Sequence, residues 1–263
     1  MGVLIDRVRV ITTYLSERAR YGLPEAAGSL DREVLFLLDG VGGLQAGPLM
    51  VRRALHNTDA GTLGTILFTW QYGVPGEIWT DLMWLRRNRV MGAKLAAKLL
   101  AFRRAHPETV IHLVAFSGGA GIAVFACERL RGRRLIETLI LACPALSPAY
   151  NLGPALQAVG RCYALVSHRD TWILGFGTGI FGTVDRCFSS AAGQLGFRIP
   201  AGISAEDVCA YERLREIHWS PVLRQVGHHG GHTGWAGTAF LRRFLPEMLR
   251  GEVSLPLHKV QPA

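Results

Sequence analysis

Apolar residues in this chain gather into short β-branched or leucine-rich runs, separated by stretches whose apolar positions recur at helical spacing. The runs Val34 to Leu38, Thr65 to Trp70, Val110 to Phe116, Ile136 to Ala142, Cys162 to Ser167 and Glu216 to Trp219 read as strands. Between them, Leu49 to His56, Met91 to Ala105, Ile122 to Leu130, Leu152 to Gly160 and Ser204 to Arg213 read as helices, with Thr238 to Arg250 as a last one. Ser204 followed by Asp207 marks a helix start, because the hydroxyl can cap free amides while the carboxylate sits in the first turn. Such alternation predicts an α/β fold, a mostly parallel sheet of six or more strands with helices on both faces. Residues 34–250 read as that one domain. Residues 1–33 read as an N-terminal segment packed on it, with Val3 to Thr12 an edge strand or part of a helix and Gly22 to Gly28 a loop. Residues 251–263 read as a C-terminal tail, loose from Leu255 onward.

One segment is chemically distinctive. Val110-Ile-His-Leu-Val-Ala-Phe-Ser117-Gly-Gly-Ala-Gly121 is a β-type run that ends in a serine wrapped by glycines. This is the pattern of a nucleophile elbow, a strained strand-to-helix turn that needs small residues two before and two after the serine. Ala115 and Gly119 meet that need. The helix opening near Gly118 would aim its first amides at negative charge developing on whatever the serine oxygen attacks, which points to a serine hydrolase. Two other readings fit the same string. One is a Gly-rich structural turn. The other is half of a dinucleotide-binding fingerprint, although its third glycine would fall at Val124 and the acidic residue expected at the end of the next strand is replaced by Glu137 at that strand's beginning.

In a parallel α/β sheet, functional groups gather beyond the carboxyl ends of the strands. Leu37-Leu-Asp39-Gly-Val-Gly-Gly43 ends the first strand, Ser117 the central one, and Asp170 follows the strand Cys162 to Ser167. Gly227-His-His-Gly-Gly-His232-Thr-Gly-Trp235 precedes the closing helix. The chain order is Ser, Asp, His. On these segments the chain resembles the α/β-hydrolase superfamily, in its small esterase and lipase-like branch, over residues 34 to 250. Leu-Leu-Asp-Gly-Val-Gly-Gly is similar to the family's oxyanion segment, Ala-Phe-Ser-Gly-Gly to its elbow and Gly231-His232 to its histidine loop. The resemblance implies Ser117 as nucleophile, His232 as general base and acid, and Asp170 as the acid that orients it. The amides of Val41 and Gly118 would then form the oxyanion hole. His228 and His229 compete with His232, and Asp185 is a reserve acid. Asp39 stands where the family has histidine. A carboxylate there would oppose an oxyanion unless it turns away or is neutralised by hydrogen bonds, which keeps open a catalytically silent binding protein of the same fold. Phe116 replaces the family's common histidine before the nucleophile.

Composition narrows the partners. The chain has 263 residues, 49% hydrophobic and 19% charged, enough for one substantial core. Its five cysteines are odd in number and widely spaced, which argues for buried thiols in a reducing compartment, the cytoplasm, and their spacing is not that of a metal site. The net charge of +9 comes almost entirely from arginines on polar faces, with no aromatic platform to suggest nucleic acid. No apolar stretch is long enough to span a bilayer, and no secretory signal is evident. Little room exists for a cap domain. Trp70, Tyr72, Trp172 and Trp235 sit beside strand ends and suggest a pocket for an apolar acyl or aryl group. The expected activity is hydrolysis of small carboxylic esters through an acyl-enzyme, without metal or organic cofactor. Thioesterase, acyltransferase and peptidase chemistry share the same constellation.

Overall fold

A computed structural model of the protein describes residues 25–42, 45–56, 63–71, 78–171, 174 and 178–262. The element expected between Val3 and Thr12 lies outside these residues, as do Tyr72 and Trp172. The strands are β1 (Ala26–Ala27), β2 (Glu33–Leu38), β3 (Gly64–Leu67), β4 (Val110–Phe116), β5 (Ile136–Ala142), β6 (Val159–Val166), β7 (Arg198–Ile199), β8 (Leu214–His218) and β9 (Gln261–Pro262). The helices are α1 (Ala46–His56), α2 (Ile78–Met83), α3 (Leu85–Ala105), α4 (Gly118–Arg129), α5 (Gly153–Leu156), α6 (Thr178–Phe181), α7 (Ala192–Leu195), α8 (Ala205–Ala210) and α9 (Thr238–Arg250).

Seven strands form one sheet in the order β1-β3-β2-β4-β5-β6-β8, parallel except for β1. From β2 the chain steps one way to β3, and from β3 onward each crossover steps the other way. Right-handed crossovers therefore lay α1 on one face and α3, α4 and α5 on the opposite face. The contacts agree, with α9 packed on α1 and α3 on α4. Covered on both sides, Val34 to Leu38 of β2 are all buried, which explains why this strand reads as a continuous apolar run rather than an alternating one. The reversal of direction opens a crevice where β2 and β4 diverge at their carboxyl ends.

The expected bounds of β4, β5 and α9 agree with the structure. Elsewhere the elements shift. The helix expected over Leu152 to Gly160 is a single turn, Gly153–Leu156, because the chain enters β6 at Val159. The helix from Ser204 is α8 alone, started by Asp207 donating its amide to the Ser204 hydroxyl, after which Tyr211–Arg213 tighten into a 3-10 turn. The strand expected to reach Trp70 stops at Leu67. The tail is not loose. His258 exchanges both backbone hydrogen bonds with Glu216 of β8, and β9 pairs with β7. Among the described residues no helix is long and apolar enough to cross a membrane.

Glu216 holds this edge together. Its buried carboxylate accepts the Phe197 amide at 2.6 Å and pairs with His218 Nε2 at 2.8 Å. Glu216→Ala would leave that buried amide without an acceptor, at a cost of about 1–3 kcal/mol. The expected outcome is a Tm lowered by roughly 3–10 °C, with faster hydrogen exchange across 256–262, measured by thermal unfolding and mass spectrometry.

Candidate active site

The crevice between β2 and β4 holds the elbow. Ser117 has φ 52° and ψ −119°, a left-handed backbone conformation that a non-glycine residue adopts only when its surroundings enforce it. Its carbonyl accepts the amides of Ala120 and Ala145, both at 3.1 Å, and its own amide donates to Ala142 at 2.9 Å. The glycine two residues on is required by contact, since a Cβ on Gly119 would lie 2.3 Å from the Asp39 carbonyl oxygen. Helix α4 therefore starts hard against the end of β2. Its first amides have no intrahelical acceptor and face the crevice.

The structure brings Ser117, Asp170 and His232 together. His232 Nε2 lies 3.0 Å from Ser117 Oγ, and His232 Nδ1 lies 2.5 Å from Asp170 Oδ2. Because an ionised carboxylate only accepts, Nδ1 carries the proton and Nε2 is free to receive one from the serine hydroxyl. Asp170 is buried, and its second oxygen accepts the Leu174 amide at 3.4 Å. The histidine loop turns through Gly230 and Gly231, at φ 80° and 73°, where a side chain would be strained. The Gly231 amide then donates to the buried Ser167 hydroxyl, tying the His232 loop to the end of β6 ahead of Asp170.

The Val41 side chain lies against the start of α4, its Cγ1 2.8 Å from where a Cβ on Gly118 would stand. The 39–42 loop is fixed at four points. Asp39 accepts the Ala46 amide on one carboxylate oxygen (3.1 Å) and the Gly47 amide on the other (3.2 Å). The Trp70 indole donates to the Asp39 carbonyl (2.8 Å), Gln71 Nε2 to the Gly40 carbonyl (2.6 Å), and the Gly42 amide to Asp81 Oδ2 (3.0 Å). None of these bonds uses the Val41 amide. Both oxygens of Asp39 are thus committed to the first turn of α1, where the helix dipole favours negative charge.

Other expected residues have other roles. His228 is buried, its Nδ1 accepting the Gly230 amide and its ring set edge-on against Phe240. Asp185 accepts from the amide and hydroxyl of Ser147 and the hydroxyl of Thr183, so it braces a loop rather than a histidine. Trp70 and Trp235, expected to line a pocket, are wholly or almost wholly buried and are core residues. Large rings next to strand ends find more apolar surface inward than in the crevice. Two participants were not apparent from sequence. Phe116 contacts the His232 ring (centroids 4.7 Å apart) and Trp235 (5.2 Å), and Asp81 anchors Gly42. Only the contacts made in the folded state distinguish them from ordinary core and surface positions. Among the described residues no three His, Cys, Asp or Glu side chains are grouped as metal ligands.

No protein-family model matches the chain, and no curated protein matches its sequence. Solved structures do. The chain is similar to LpqC, a poly(3-hydroxybutyrate) depolymerase from Bordetella parapertussis, at 14% identity and TM-score 0.51 over 90% of this chain and 82% of that one. A cutinase-like protein from Cryptococcus sp. aligns at 12% identity and TM-score 0.43, over 85% of this chain and 98% of that one. Trichoderma reesei cutinase aligns at 16% identity and TM-score 0.35, over 52% of this chain and only 63% of its own length. With its seven-stranded, mostly parallel sheet and surrounding helices, the chain has the α/β-hydrolase fold.

Two buried groups set opposing pH dependences. Burial lifts the Asp39 carboxyl to about 6, against the pull of the backbone amides around it, and burial with His229 nearby lowers the His228 ring to about 4. The native state holds the Asp39 proton more tightly than the unfolded chain does, so this contribution favours folding in acid and is lost as pH rises through about 6. The native state holds the His228 proton less tightly, so its contribution is present above the ordinary histidine range and is lost as pH falls toward 4. On going from pH 7.5 to 4.5, Asp39→Asn is expected to lose about 2 kcal/mol more stability than the wild type, and His228→Asn about 2 kcal/mol less. Urea titrations at the two pH values measure both.

Proposed function

We propose that the protein is a serine hydrolase that cleaves carboxylic esters through an acyl-enzyme. The observation that supports this most strongly is the continuous hydrogen-bonded chain from Ser117 through His232 to Asp170, with the nucleophile on a strained elbow beside unused amides. A poly(3-hydroxybutyrate) depolymerase, which acts on a polyester, is similar in fold, and this supports an ester as the substrate class.

The chemistry follows from the donors and acceptors. As Ser117 Oγ attacks the ester carbonyl carbon, His232 Nε2 takes the hydroxyl proton, and the imidazolium is stabilised by the Asp170 carboxylate at Nδ1. Negative charge moves to the former carbonyl oxygen, which the Val41 and Gly118 amides receive. Collapse of the tetrahedral species expels the alcohol with the proton from Nε2. Water then enters, gives its proton to the same nitrogen and releases the acid, restoring Ser117. The Val41 side chain and the half-buried Phe116 ring beside the elbow favour an apolar acyl or aryl group. A cytoplasmic location belongs to the same proposal, supported by five cysteines that form no disulfide.

A fluorophosphonate probe and a panel of p-nitrophenyl esters of increasing acyl length test the reading. Wild type should be labelled and should hydrolyse at least one ester. Ser117→Ala should lose both, and Asp170→Asn should lower kcat by roughly 10³–10⁴-fold by favouring the wrong imidazole tautomer. Labelling that persists in Ser117→Ala, or a wild type inert to every ester, would reject the proposal.

A further inference from the structure

Asp81 has no place in the chemistry above, yet it is fully buried. It belongs to α2, 39 residues beyond the loop it touches, and its Oδ2 accepts the Gly42 amide at 3.0 Å. Arg87 Nη1 lies 3.4 Å from the other carboxylate oxygen, and the same guanidinium donates to the Trp70 carbonyl at 2.5 Å. Asn88, also buried, donates to the Asp81 main-chain carbonyl at 2.7 Å. Arg87 and Asn88 open α3, so one short stretch of chain holds Asp81 by its side chain and by its backbone.

Asp81 bonds the amide one residue beyond Val41, while Gln71 holds the Gly40 carbonyl one residue before it. Asp81 therefore holds the peptide after Val41, while Gln71 holds, by its own carbonyl, the peptide that carries the Val41 N–H. Its direction decides whether that amide meets an oxyanion. Rotation of the peptide that Asp81 holds would turn Val41 as well, so both anchors are needed to fix that direction. A buried carboxylate is costly unless it is paired, and among the described residues the partners of Asp81 include the Gly42 amide and Arg87.

Resting on the serine-esterase reading, we infer that Asp81, backed by Arg87, is a positioning residue that fixes the 40–42 loop so that the Val41 amide points at the developing oxyanion. It acts through Gly42 and touches no substrate. Helix α2, which carries it, lies against α6.

Replacing the ester carbonyl oxygen by sulfur tests this directly. Sulfur accepts hydrogen bonds weakly, so the ratio of kcat/KM for an oxyester over its thionoester reads donation to the oxyanion and not general integrity. In Asp81→Ala the ratio should fall tenfold or more, chiefly through kcat on the oxyester, with KM within about threefold. Asp81→Asn keeps an oxygen for the Gly42 amide and should hold the ratio within about threefold of wild type. Asp81→Glu keeps the charge but displaces the acceptor, and its ratio should fall below that of the Asn variant. If Asp81→Ala does not fold by circular dichroism, the order of the Asn and Glu variants decides. Folded variants whose ratios all equal the wild-type value would overturn the positioning role and leave the esterase reading intact. A wild type that hydrolyses no ester defeats the esterase reading, and this inference falls with it.

Discussion

The contact between the start of α4 and the end of β2 governs the site. At Gly119 the helix backbone meets the Asp39 carbonyl so closely that no side chain fits between them. That approach forces Ser117 into the left-handed region, and it also brings the 39–42 loop against the first turn of α4. The strained serine backbone and the closeness of the 39–42 loop to α4 are therefore two results of one steric contact.

Polar groups hold what sterics set. Asp39 places a carboxylate close to where negative charge would develop, yet both its oxygens are occupied by the first turn of α1, and the charge is spent on helix α1 rather than on the crevice. The Trp70 indole, the Gln71 amide and the Asp81 carboxylate complete the frame around the loop. Preorganisation of this kind reduces the reorganisation needed when charge moves. His228 shows the converse use of burial: it supports the histidine loop as a neutral acceptor, while its neighbour four residues on does the proton transfer we propose.

Much of this was legible in the chain, for identifiable reasons. Strands β4 and β5 are apolar runs that end abruptly, the first at a serine followed by two glycines and the second at Cys-Pro, so their limits show without tertiary information. The triad residues could be ordered because each sits just past a strand or just before the last helix. The start of β6 was hidden, since Val159-Gly160-Arg161 lacks β-type alternation and its strand character comes from pairing with β5. Tail pairing was equally invisible, because Glu216 reads as a solvent-facing charge until Phe197 and His258 are brought to it. Trp70 and Trp235, read as lining a pocket beside strand ends, are buried, because sequence indicates proximity to a strand end and not which way a ring turns.

Phe116 joins parts of the molecule that are otherwise separate. It precedes Ser117, contacts the buried ring of Trp235, and lies tilted against the imidazole of His232. A histidine free to swing would sample several χ1 and χ2 states, only one of which spans serine and carboxylate. Shelved on a ring that is itself wedged into the interior, the imidazole has already surrendered most of that torsional freedom during folding. The entropy of orienting the His232 ring is thereby settled once, when the chain folds.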